Sequence, residues 1–77
     1  MTSRVWTADI DDYLAQAGHT DYDVRRDSPY TVRVIHDGPQ PRTHLEEYAT
    51  CLHALGYRTT IEEATDIRPL RLKITQA

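Results

Sequence analysis

Along residues 43–57, THLEEYATCLHALGY, the apolar positions Leu45, Tyr48, Ala49, Leu52 and Leu55 recur on the 3.6-residue period of one helix face. Glu46, Glu47, Thr50 and His53 fall on the opposite side. Thr43, followed three residues later by Glu46, has the spacing of a capping box and predicts that the helix opens there. Pro39 and Pro41 lie upstream, where loop is expected. Gly56 supplies the left-handed residue that ends the helix, with Tyr57 positioned to fold back on Leu52. A second such stripe lies earlier. Ile10, Tyr13, Leu14 and Ala17 share a face, Thr7 is the expected N-cap, and Gly18 is the stop. Asp9, Asp11 and Asp12 crowd the first turn, where negative charge meets the positive end of the helix dipole.

Elsewhere the period is two. Residues 21–26 alternate Tyr22 and Val24 with Asp23 and Arg25. Residues 30–36 put Tyr30, Val32 and Val34 on one face and Thr31, Arg33 and Ile35 on the other. Asp27, Ser28 and Pro29 supply the turn between them, which predicts an antiparallel hairpin. HDGPQPR, residues 36–42, reads as a loop. Tyr57, Thr59 and Ile61 share one face of a further strand over 58–62. A polar connection over 63–68 precedes a final strand in which Leu70, Leu72 and Ile74 alternate with Arg71, Lys73 and Thr75. Val5, Trp6 and Thr7 are β-formers, so residues 3–7 are a candidate short first strand.

Two amphipathic helices need one shared apolar surface. The expected fold is therefore α+β: a small antiparallel or mixed sheet with both helices on one face, in a single domain over 1–77. With the first strand the order is ferredoxin-like, βαββαβ plus a C-terminal strand. Without it the chain is a duplicated αββ unit. An internal echo is present: SPYTVRVIH and RPLRLKITQ align Pro29 with Pro69, Val32 with Leu72, Arg33 with Lys73 and Val34 with Ile74. Two amphipathic units obeying the same physics explain it better than an old duplication. Alternation alone produces part of that match.

Composition narrows the function classes. A chain of 77 residues with one Trp and no Phe buries a small core, so a second copy of the chain is a candidate partner. A net charge of −3 argues against broad electrostatic binding of nucleic acid, though it permits a local basic face. The basic residues are Arg except for Lys73, a bias that suggests a GC-rich coding genome and, by association, an actinobacterial one or a phage or plasmid living in such a host. Cys51 is the only cysteine, so no intrachain disulfide forms, as expected of a reducing compartment. The N-terminus lacks the apolar core of a leader, and no apolar run reaches spanning length. The expected location is the cytoplasm.

The chemistry-bearing residues are few. Cys51 borders the apolar stripe and lies about two turns from His44, too far for a nucleophile pair. His19, His36, His44 and His53 show no paired metal-ligand spacing, although His36 and His44 flank one loop. No glycine-rich phosphate loop is present. The expected protein is not an enzyme and needs no cofactor or metal. What does stand out is the outward strand set: Arg25, Arg33, Arg58, Arg71 and Lys73 around Ile35, opposite helices that carry Asp9, Asp11, Asp12, Glu46 and Glu47. Arg and aromatic residues dominate interface hot spots, so this face, with Trp6, is the expected contact surface for another protein. The protein would be a regulator, assembly factor or inhibitor. The alternative is a nucleic-acid-binding module on the same basic face. Its layout resembles that of sheet-based RNA binders, but Tyr30 and Tyr57 fall on the inward set and leave no outward aromatics for base stacking.

Overall fold

A computed structural model describes residues 4–77. Two helices, α1 (Thr7–Gln16) and α2 (Pro41–Ala54), each precede a hairpin: β1 (Tyr22–Ser28) with β2 (Thr31–His36), and β3 (Tyr57–Glu62) with β4 (Arg71–Gln76). The sheet is antiparallel throughout, in the order β1-β2-β4-β3. The fold is α+β, and its element order is αββ repeated.

The strand expected over 3–7 does not form among the described residues. Ser3 lies outside them, Arg4 to Trp6 are in no strand, and Thr7 opens α1. Without that strand there is no βαββαβ unit. Val5 instead enters the core, and its N–H donates to the Pro29 carbonyl at 3.0 Å, tying the start of the chain to the first hairpin turn.

The echo between the halves has a geometric counterpart. Val32 pairs with Ile74, Arg33 with Lys73, and Val34 with Leu72. Val32 and Leu72, like Val34 and Ile74, are equivalent positions of the two hairpins, so an approximate two-fold axis passes between Arg33 and Lys73. Tyr22 and Tyr57 open the equivalent edge strands β1 and β3.

The inward strand positions Val32, Val34, Leu72 and Ile74 are fully buried beneath Ile10 and Leu14 of α1 and Leu45, Tyr48 and Leu52 of α2. The central positions of both apolar stripes are thus used as the periodicity requires, but their ends differ: Ala17, expected on the inner face of the first helix, is exposed just past the end of α1. α2 begins at Pro41, two residues before Thr43, after Gln40 in the left-handed region (φ 55°) with no side-chain cap. Proline at the first turn has its φ preset and no N–H to satisfy, so it can open a helix without the box at Thr43 and Glu46. At the other end Leu55 is 52% exposed, beyond the last helical residue, and does not join the stripe. Gly56 does take the left-handed turn (φ 97°) and directs the chain into β3. α1 likewise starts at Thr7 itself, with Trp6 as its N-cap residue.

The first hairpin is also longer than its turn residues imply. β1 runs on through Asp27 to Ser28, with a register break between Arg26 and Ser28. Tyr30 consequently sits in the turn and is 47% exposed, not in the inward set. The break is bulge-like and leaves Asp27 out of the pairing, which frees its carboxylate to turn toward β2.

Candidate functional site

Register fixes which residues share the open face, because directly paired residues in a sheet project to the same side. Arg25 pairs with Arg33, Arg33 with Lys73, and Lys73 with Thr60. Asp23 pairs with Ile35, Arg58 with Thr75, and Glu62 with Arg71. All five predicted cations and Ile35 therefore lie on the face away from the helices. Trp6 does not. It stands beside the start of α1, with the Arg4 and Arg26 guanidinium groups 5.3 and 5.8 Å from its ring. Those contacts are cation–π in geometry and hold an exposed indole in place.

The face is less basic than its arginines imply, because Asp23, Asp27 and Glu62 share it. Arg25 Nε contacts Asp23 at 2.7 Å, and Arg33 contacts Asp27. Glu62 is the organising acid. Its Oε1 accepts from Arg33 Nε at 2.7 Å and from Arg71 Nε at 2.8 Å, while Oε2 has a longer contact, 3.5 Å, to Arg33 Nη2. The hydrogen bond from Arg33, followed by that from Arg71, lowers the Glu62 carboxyl to about 2 against the opposing effect of burial. Among the described residues Arg58 and Lys73 have no ion pair. The expected acidic helical side holds better: Asp9, Asp11, Asp12, Glu46 and Glu47 are all exposed.

A second cluster was only partly visible in the sequence. His36, 7% exposed, places Nδ1 2.7 Å from the Tyr48 hydroxyl, which lies 3.1 Å from the Thr20 carbonyl. A carbonyl only accepts, so Tyr48 donates to Thr20 and His36 donates Nδ1–H to Tyr48. His44 stacks on His36 with centroids 3.9 Å apart and planes 9° from parallel, and His19 meets Tyr48 edge-on at 4.8 Å. His36 and His44 thus meet across the loop they flank, but as stacked rings. Among the described residues no group of three or more His, Cys, Asp or Glu is arranged to hold a metal ion. Cys51 is half-buried on α2.

No family model, curated protein or solved structure matches this chain. The outward sheet face and the histidine–tyrosine cluster must be judged on their own chemistry. The cluster joins β2, α2 and the α1–β1 connection internally. The sheet face is covered by no helix, and around its part-buried Arg33–Glu62–Arg71 group Arg25 and Arg58 are exposed. No helix is long and apolar enough to cross a membrane among the described residues.

Proposed function

We propose that this protein is a small non-enzymatic interaction module, a regulator, assembly factor or inhibitor, whose outward sheet face docks on another protein. The observation that carries this reading is the ordering of Arg33 and Arg71 by one carboxylate, Glu62, beside the half-buried Ile35. Guanidinium groups held in advance lose little freedom on binding, which favours their use as contact residues. Lys73 and Arg58 add cations that have no partner of their own among the described residues, so the cognate surface should be acidic. The interleaved Asp23, Asp27 and Glu62 favour a protein partner over a polyphosphate backbone, which would be repelled at those positions.

The test is capture of host proteins on the immobilised chain, comparing wild type with Ile35→Asp and Lys73→Glu. Ile35→Asp alters the face without replacing any member of the Arg33–Glu62–Arg71 group, and Lys73→Glu reverses a charge directly across from Arg33. Loss of the same captured protein in both supports the reading. A salt-sensitive complex with mixed oligonucleotides, abolished by Lys73→Glu, would replace it with a nucleic-acid function.

A further inference from the structure

The two ends of the sheet are not equally protected. At one end, β1 carries the bulge at Asp27 and an exposed charge, Arg26, on the helix-side face, where it pairs with Val32. Both features discourage a further strand from adding there. The equivalent groove between α1 and β1 is also crossed by Tyr22, whose hydroxyl donates to Asp11 Oδ1 at 2.7 Å. At the other end, β3 offers Tyr57, Thr59 and Ile61 on its helix-side face, with no charge among them. An open groove of about 400 Å³ runs between β3 and α2, lined by Ala49, Thr50, His53, Ala54 and Thr59. Every second residue of an edge strand turns its N–H and C=O away from the sheet, so β3 has unused backbone pairing capacity along that groove.

We infer that β3 pairs antiparallel with β3 of a second copy, on a two-fold axis at Thr60, to give one continuous eight-stranded sheet. The sequence of β3 selects this partner and this register. With Thr60 opposite Thr60, Arg58 of each copy faces Glu62 of the other on the open face, and Thr59 faces Ile61 on the helix side. A shift of one residue puts the open-face set against the helix-side set. A shift of the axis to Thr59 or Ile61 leaves Arg58 and Glu62 opposite uncharged residues. An axis at Arg58 or Glu62 brings like charges together, which is destabilising in directly paired positions. Glu62 can take the extra cation: Oε1 is filled by Arg33 and Arg71, whereas Oε2 has only its 3.5 Å contact. The small side chains Ala49, Thr50 and Ala54 let the two α2 helices approach on the same side of the sheet. The contact is isologous and therefore closes at two copies.

This dimer takes its backbone pairing from the sheet edge and recruits Arg58 and Glu62 from the outward face. Ile35 lies on β2, two strands away, so Ile35→Asp leaves the dimer unchanged and separates it from the docking reading. Sedimentation equilibrium of the full chain tests it. The wild type is expected to be a dimer, and Arg58→Glu and Thr60→Lys each to weaken dimerisation about tenfold or more. In a Cys51→Ser background, Thr60→Cys is expected to form a disulfide-linked dimer under mild oxidation, while Arg25→Cys on β1 does not. A chain that remains monomeric at every concentration overturns the inference. So does a dimer that Thr60→Lys leaves intact and Thr60→Cys fails to cross-link.

Discussion

Glu62 on β3 receives the Arg33 Nε–H of β2 at 2.7 Å although β4 lies between their strands. This contact and its partner from Arg71 hold the carboxyl at about 2, below the usual 4.5. A carboxyl depressed on folding adds stability that is fully present above about 4.5 and is lost as pH falls through about 2. Glu62→Gln should therefore cost on the order of 2 kcal/mol at neutral pH. Urea unfolding across a pH series should show that difference shrink on acidification below 4.5. A constant difference down to acid pH would mean that the carboxylate charge is not what stabilises this face.

Tyr48→Phe removes the hydroxyl that serves both His36 and the Thr20 carbonyl. Leaving a buried ring N–H without an acceptor costs about 1–3 kcal/mol. Chemical denaturation should register that loss. In the wild type, nitrogen chemical shifts of the imidazole should show His36 protonated at Nδ1. An Nε2-only tautomer would break the chain of donors from His36 to Thr20.

Two glycines are needed for different reasons. A Cβ at Gly38 would stand 2.9 Å from His36 Nε2, on a ring fixed by Tyr48 and stacked on His44. Gly38→Ala should cost about 1–3 kcal/mol through crowding. Gly56 has open space around it but a φ of 97°. There the backbone decides, so Gly56→Val should lower the melting temperature more than Gly56→Asn. Equal melting temperatures for those two variants would show that the turn relaxes.

The Tyr22 phenol is raised to about 12, first by burial and then by its hydrogen bond to Asp11. A phenol raised on folding stays neutral longer in the native state. Its contribution is complete below about 10 and is lost as pH climbs through about 12. Burial also raises the Tyr48 and Tyr57 phenols, so ultraviolet titration should find several late-ionising tyrosines, and Asp11→Ala should bring the Tyr22 step to lower pH. An unchanged step would assign the shift to burial alone.

Periodicity placed α2, β2 and β4 because each is half-buried and its burial follows a single local rhythm. Arg25, Arg33, Arg58, Arg71 and Lys73 were assigned to one face for the same reason. What it missed depends on contacts between distant residues. The acids on that face are legible by the same alternation, but Glu62 gains its role only when β3 and β2 come to lie on either side of β4. Tyr30 left the inward set because the bulge at Asp27 lengthened β1, and no local signal marks that bulge. Trp6, expected on the contact face, is held by Arg26 from the far end of β1. The Thr43 capping box was a genuine local signal that Pro41 pre-empted by two residues.

The seam between the halves is narrow. Only Val32, Val34 and Arg33 of β2 meet Ile74, Leu72 and Lys73 of β4, and these residues come from opposite halves of the chain. Each hairpin can zip from its own turn, but the seam must wait for the long intervening segment to close, and that closure entropy is recovered only afterwards. Folding speed should then be governed by this junction: Val34→Ala and Leu72→Ala would slow refolding, whereas Val24→Ala at the edge would chiefly hasten unfolding. The short connection from Asp37 to Gln40 becomes a hinge in the kinetic sense, since a chain that closes its seam with a neighbour's second half before its own would emerge as an exchanged pair.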